Sequence, residues 1–297
     1  MDIQQILKKH ALWLKHDPQG ERANLEGAVL RGVDLQGAQL ELALLNGADL
    51  RNANLRGANL LAARFRDANL KGSILVDANL NEGDLSDADL RDADLTNVSL
   101  YSACLDRARL RNATLSGANL RRATLREVGL KKACLDNLDL SGADLSEANL
   151  KGANLNGANL FAANLREANL TEATLRNADL AMADLLKAIL READLRGADL
   201  TGACLNMVEA TSADMREIIT HNKAVLNDFC IKNGRCKIVC AEACLRDVWF
   251  DGADLRDADL TGACLRDTSF SNAMLSGIEL SGACLRGSNV EKEGRLL

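Results

Sequence analysis

Ala48-Asp49-Leu50-Arg51-Asn52-Ala53-Asn54-Leu55-Arg56-Gly57-Ala58-Asn59-Leu60 is the stretch whose reading decides how this chain folds. Leucine stands at every fifth position, a small residue two places before it, and Asn or Asp directly before it. Followed outward, the phase holds from Leu25 to Leu205, with Phe65 once in place of leucine, and it returns from Ala243 to Leu285. A period of five matches neither the helix, at about 3.6 residues per turn, nor the simple alternation of a strand. With Ala and Leu two apart, both side chains of a short extended segment point to the same side. The two residues after each Leu must then turn the chain. Glycine often fills the second of these places, as at Gly27, Gly57 and Gly117, and Asn or Asp fills it at Asn52, Asp67 and Asn97. That is the demand of a type II turn, whose third residue needs positive φ. Each five-residue repeat therefore makes one side and one corner of a coil.

The exposed places set how many sides close the coil. The residue after Leu, taken on every fourth repeat, reads Arg31, Arg51, Lys71, Arg91, Arg111, Lys131, Lys151, Thr171, Arg191, whereas about two in five such places are basic along the whole array. A basic column of this kind follows if residues twenty apart stack on one face. Cys104, Cys204, Cys244, Cys264 and Cys284 share another twenty-residue register. Four repeats per coil is the expectation, with coils about 4.8 Å apart, the spacing of neighbouring strands. The stacked Leu and Ala leave no room for a ligand inside, and Asn before Leu is placed to form side-chain ladders.

With its Ala-Asp/Asn-Leu signature repeated over 23–205 and 243–287, the sequence resembles the pentapeptide-repeat proteins. The opening, with Ile6-Leu7-Lys8-Lys9-His10, Trp13-Leu14 and Gly20-Glu21-Arg22-Ala23, is similar to the leader segments of some members. The resemblance implies an all-β solenoid, a right-handed quadrilateral β-helix with Leu and Ala inside. It implies no single activity. Some members are DNA mimics that bind DNA gyrase and confer quinolone resistance, and some are secreted bacterial effectors. Mimicry needs a continuous negative surface, whereas this chain carries a basic column, Leu in place of mostly Phe, and no evident C-terminal dimerising helix.

Composition agrees with a repeat array. Aromatics make up 3% of the 297 residues, there is one proline, and the 47% hydrophobic content is mostly Leu and Ala. A net charge of −6, from 36 basic and 42 acidic residues, predicts no general attraction to nucleic acid or to an anionic membrane. No apolar run approaches the roughly 18 residues that cross a bilayer, and no secretion signal is legible at the start. Nine scattered cysteines read as reduced thiols of a cytoplasmic protein. Residues 1–22 lie outside the repeat. Ile3, Ile6, Leu7, Ala11 and Leu14 at helical spacing predict a short capping helix, N-capped by Asp2 and ended by Pro18 and Gly20. The array then spans 23–215. Residues 216–240 break the pattern and read as an excursion ending in a hairpin at Asn233-Gly234. Repeat coils resume over 241–290, with Phe250 and Phe270 on one face and Trp249 outside, before a tail at 291–297. The C-terminal coil looks less well capped than the N-terminal one, which offers a dimer contact through that end.

No catalytic constellation emerges, and no enzyme, cofactor or metal is expected. The three histidines, His10, His16 and His221, lie outside the regular array. Cys230, Cys236, Cys240 and Cys244 have the chemistry of a zinc site but lack its usual Cys-x-x-Cys pairing. Cys244, Cys264 and Cys284 are expected on consecutive coils, at a reach compatible with a disulfide. Surface columns remain as candidates. The basic column Arg31, Arg51, Lys71, Arg91, Arg111, Lys131, Lys151 is either neutralised by acids on the preceding corner (Asp67, Asp87, Glu127, Glu147, Glu167) or kept for an acidic partner. Leu42, Leu61, Tyr101, Phe161 and Met182 hold outward turn places on another face, suited to protein contact. The reading of function is a non-catalytic, rod-shaped scaffold that binds another protein through these faces and the 216–240 interruption.

Overall fold

The computed structural model describes residues 2–215, 245 and 248–290. The excursion and hairpin expected over 216–240, with His221, Cys230, Cys236, Cys240 and Cys244, and the tail expected at 291–297 fall outside the described residues. The chain divides into two compact units, Met1–Cys134 with Leu138–Asp144, and Leu135–Asn137 with Leu145–Leu297.

In both units the chain meets itself every twenty residues. Parallel bridges join Asn24 to Leu44, Asp49 to Asn69 and Asn59 to Asn79 in the first unit, and Asn149 to Asn169 and Asp179 to Asp199 in the second. Four five-residue repeats therefore make one rung. The bridges involve single residues rather than extended strands, because each side is only long enough for Ala, Asn/Asp and Leu before the next corner. Hydrogen bonds run from rung to rung: Leu25 N–H donates to the Leu44 carbonyl at 2.7 Å, Gly27 N–H to Asn46 at 2.9 Å, and Leu44 N–H back to Ala23 at 3.0 Å. Most sides thus satisfy their backbone groups against the neighbouring rungs.

The corners are the type II turns that the spacing predicts. Ala28 N–H donates to the Leu25 carbonyl at 3.1 Å, and φ of the second corner residue is positive at every described corner from 27 to 212 and from 252 to 287, between 52° and 79°. Most of these residues are not glycine. Leu42, Ala62, Arg107 and Lys187 all hold φ near +60°, a region that costs an L-residue roughly 1–2 kcal/mol. The corner geometry is set by the ladder on either side and overrides the preference of the residue. Inside, Leu and Ala of successive rungs are almost wholly buried in each unit, and the Phe250 and Phe270 rings stack at 5.3 Å with Trp249 outside.

The first unit opens with helix α1 (Ile3–Leu14), N-capped by Asp2, whose carboxylate accepts N–H bonds from Gln4 and Gln5. Its apolar side is only half-buried, and the fully buried helix residue is His10. Ala23 N–H donates to His10 Nδ1 at 3.1 Å, which makes Nε2 the protonated nitrogen, and Nε2 donates to the Glu41 carbonyl at 3.0 Å. One neutral imidazole therefore pins α1 to two successive rungs. Trp13 stacks on His10, Arg22 lies over the Trp13 ring, and Glu21 N–H donates to the Lys9 carbonyl. Gly20 passes so close to α1 that a Cβ there would clash with the backbone of Trp13 and Leu12.

Two outcomes follow. Burial holds the His10 pKa below its usual value, because the charged ring would lose solvation and its accepted bond. The unfolded chain then binds the extra proton first. The contribution of His10 is complete above about pH 6.5 and is lost as pH falls below it. Thermal melts between pH 7 and pH 5 should show this loss in the native chain and not in His10→Gln; equal pH dependence in both would contradict it. Second, Ala62→Gly, at a positive-φ corner, should raise stability by about 0.5–1 kcal/mol, whereas Ala63→Gly, buried one residue later, should lower it by about 1 kcal/mol. Urea midpoints read both signs.

Candidate functional site

The corners carry the side chains that face outward, and the twenty-residue register sorts them into columns. In the first unit, the basic column is offset mainly from its own face. Asp49 accepts from Arg51 Nε at 2.8 Å and Nη2 at 2.8 Å, and also from Arg31 Nε of the preceding rung at 2.6 Å. Asp89 holds Arg91 in the same fork, and Lys71 Nζ lies 3.6 Å from Asp92. In the second unit, Lys151 pairs with Glu172 at 2.8 Å and Arg191 with Glu209.

These partners differ from the acids expected on the preceding corner. Asp87 is instead taken by Arg107 of its own column, through two bonds of 2.8 Å, Glu167 by Lys187 at 3.1 Å, and Asp67 lies 3.9 Å from Arg66. The reason is the period of an extended side. Asp at i and Arg at i+2 point outward together, one residue apart from the buried Leu between them, while the preceding corner lies a full side away. The signal was present as the tripeptide Asp-Leu-Arg. All four instances, Asp49/Arg51, Asp89/Arg91, Asp194/Arg196 and Asp254/Arg256, close the same two-bond fork. Where Asn replaces Asp, its side-chain oxygen accepts the backbone N–H two residues on, as Asn54 does from Arg56, and some Asn also bond between rungs, as Asn79 does to Asn59.

Arg111 and Lys131 stand apart. Both are exposed, and neither has an ion-pair partner among the described residues. The expected column is thus uneven: its lower members are neutralised and its upper members in the first unit are not.

Within each unit the apolar places hold one corner of the rung without forming a continuous strip. In the first unit Leu42 and Leu61 adjoin, the Leu42 N–H donating to the Leu61 carbonyl at 2.7 Å, while Tyr101 is half-buried and its hydroxyl accepts from Arg122 at 3.3 Å. Asn81 stands between them in the column, and its Oδ1 accepts the Tyr101 N–H. In the second unit Phe161 and Met182 are exposed, at 47% and 59%, on adjacent rungs joined by the bond from Ala162 N–H to the Ala181 carbonyl. Cys264 and Cys284 are bridge partners on adjacent rungs, as expected, with Cys244 outside the described residues. Among the described residues no group of three or more His, Cys, Asp or Glu has the arrangement of a metal site, and no helix is long and apolar enough to cross a membrane.

Comparison with known proteins points one way. A family model described as Pentapeptide repeats matches in 8 copies, over residues 21–47, 43–72, 73–112, 103–142, 139–177, 168–206 and 253–291. Among solved structures, the chain is similar to HetL, described as a pentapeptide repeat protein involved in heterocyst differentiation regulation from the cyanobacterium Nostoc sp. strain PCC 7120. The identity is 28%, with 97% of this chain and 96% of that one covered and a TM-score of 0.23. It is also similar to trypsin-treated QnrB1, described as a plasmid-mediated fluoroquinolone resistance protein, at 21% identity, 67% and 90% coverage and a TM-score of 0.44. A pentapeptide repeat protein of the Arabidopsis thaliana thylakoid lumen matches at 30% identity over 35% of this chain and 72% of that one, with a TM-score of 0.27. At scores this low the three likenesses carry no argument about shape or activity. Comparison with curated proteins returned no match.

The shared carboxylate can be tested directly. The Arg51 and Arg31 guanidiniums hold the Asp49 pKa far below the usual carboxylate range. Its side-chain 13C shift should still report the ionised form at pH 3, where an unperturbed Asp, with a pKa of about 3.9, is mostly protonated. Midpoint protonation of Asp49 near pH 4 would show that the fork is not formed in solution.

Proposed function

Since the chain belongs to the pentapeptide-repeat family, we propose that it is a non-catalytic repeat scaffold, a right-handed four-sided β-helix whose outer columns dock another protein. The observation that carries this reading is the division of labour between inside and outside. The interior is filled by Leu and Ala at nearly every rung, which takes away the concave, mostly apolar pocket that small-molecule chemistry needs. What varies from rung to rung is the outside.

Two sets of residues are proposed to meet the partner. One is the basic set, Arg31, Arg51, Lys71, Arg91, Arg111 and Lys131 in the first unit and Lys151 in the second. The other is the set of apolar corner places, Leu61 and Tyr101 in the first unit and Phe161 and Met182 in the second. The scattered cysteines favour a reducing, cytoplasmic setting. A role as a DNA-mimicking gyrase modulator is the alternative that the family offers. The basic column speaks against it, since such mimicry requires an unbroken negative face.

The experiment is affinity capture from a lysate with the native chain and with a variant carrying Arg51→Glu, Lys71→Glu, Arg91→Glu and Arg111→Glu. A partner set retained by the native chain and lost by the variant supports docking through the column. An identical set from both assigns the column a structural role. Inhibition of gyrase supercoiling at micromolar or lower concentration would replace the scaffold reading with the gyrase one.

A further inference from the structure

Read along the chain instead of up the columns, the charge is strongly uneven. Residues 107–132 carry Arg107, Arg109, Arg111, Arg121, Arg122, Arg126, Lys131 and Lys132 against the single acid Glu127, a local balance of +7 in a chain whose net charge is −6. The whole stretch belongs to the first compact unit. Half of these cations are engaged: Arg107 by Asp87, Arg121 by Asp139, Arg126 by Asp144, and Arg122 by the Tyr101 hydroxyl. Arg109, Arg111, Lys131 and Lys132 are exposed and have no ion pair or side-chain hydrogen bond among the described residues. They fall on one side and one corner of two successive rungs, about 4.8 Å apart.

Two further observations point to a ligand at this place. Gly129 is the bridge partner of Arg109 on the next rung, in the outward place before Leu130 that Asn or Asp usually fills. The fold does not call for glycine there. Gly129 is not among the positive-φ residues, and a Cβ added to it would meet nothing within 4 Å. A glycine within a strand often marks a bulge, a bend or the close approach of a ligand or another backbone, and the space around Gly129 leaves room for a ligand. Here it leaves an open notch above Arg109, walled by Arg111, Lys131 and Lys132. The rung-to-rung ladder also lapses at this level. Leu90 N–H donates to the Arg109 carbonyl and Leu105 N–H to Thr124, but Leu110 and Leu115 make no such bond among the described residues. The lapse falls beside four like charges, of which Arg109 alone has an acid at the same place of an adjoining rung. That acid is its bridge partner Asp89, which Arg91 already holds in a two-bond fork.

We infer that this notch binds an acidic segment of a protein partner, its carboxylates lying over Gly129 between Arg109, Arg111, Lys131 and Lys132. This rests on the scaffold reading above and names the chemistry of the partner. Nucleic acid would meet the same cations, but the described residues of the first unit include no exposed Phe, Tyr or Trp side chain. Phe65 is buried, and Tyr101, ten residues from Arg111 and so two corners away, is half-buried with its hydroxyl engaged. Single-stranded nucleic acid depends on exposed aromatic faces for base stacking.

The test is fluorescence anisotropy of a labelled dodecaglutamate peptide with the full chain at low salt, with a single-stranded oligonucleotide as a parallel probe. The peptide should bind, and affinity should fall with added salt, as for contacts between exposed charges. Arg109→Ala/Arg111→Ala/Lys131→Ala/Lys132→Ala should weaken binding by about tenfold or more, as loss of several charge contacts does. Gly129→Glu, which places a carboxylate in the notch without crowding, should do the same at unchanged melting temperature. Arg176→Ala/Arg256→Ala, whose cations are paired with Asp194 and Asp254 outside the proposed contact sets, should change it less than about twofold. Peptide affinity unchanged in both notch variants, or tighter binding of the oligonucleotide than of the peptide, overturns the inference. Partners still captured from a lysate by the notch variants would leave the scaffold reading standing and remove the notch from it. Peptide binding lost with the notch, in a chain that captures no partner, would sustain the anionic site and remove the scaffold reading.

Discussion

Everything in this protein hangs on one hydrogen-bonding constraint: each short side must present its backbone to the side twenty residues away, in register. A side of three residues cannot satisfy its own N–H and C=O groups, and it has no strand long enough to form an ordinary sheet. Only stacking in phase pairs them, as the Leu25–Leu44 and Leu44–Ala23 bonds do. Once that register is fixed, the corner has one conformation open to it. The chain must turn within two residues, and the second goes to positive φ whether it is Gly57, Asn52, Leu42 or Arg107. Intrinsic preference is overridden at corner after corner because the cost of each is local, while slipping the register would orphan the hydrogen bonds of a whole rung.

The same register makes the surface a set of columns. Residues that touch are those twenty apart, as Arg107 and Asp87 are, or two apart on one side, as Arg51 and Asp49 are. Charge is therefore balanced by short-range rules that any repeat can obey. The rung around Arg109, Arg111, Lys131 and Lys132 departs from them, with cations on successive levels and a glycine where a polar side chain usually stands. A fold this permissive on the outside gives a departure of that kind meaning, since nothing in the interior demands it.

Much of the fold was legible in the sequence because its signal is repeated so many times. The five-residue phase gave the corner at Gly27 and the buried pair Ala23 and Leu25, and the basic column gave four repeats per rung, which the bridge from Asp49 to Asn69 shows. Asp2 as the cap of α1 was legible for the usual reason, an acceptor just before the first helical turn. His10 was not. Its role depends on two backbone groups, of Ala23 and Glu41, that only folding brings to it. The partners of the basic column were misplaced because reading by columns hides neighbours two residues apart, although Asp-Leu-Arg states them plainly. Column reading also divided the cationic run 107–132 among several faces, and so concealed it.

The most direct measurement of the account is of the register itself. Paired cysteines placed at Asn59 and Asn79, which are bridged, should have Cα atoms about 4.8 Å apart, within the range that a disulfide spans. Pairs at Asn59 with Ile74, and at Asn59 with Asp84, should not. Under mild oxidation, with the cross-linked peptides identified by mass, the account predicts rapid linkage in the pair twenty residues apart and none in the pairs fifteen or twenty-five apart. Equal linkage in all three, or preference for either of the other two, would contradict four repeats per rung and with it the columns on which every surface assignment depends.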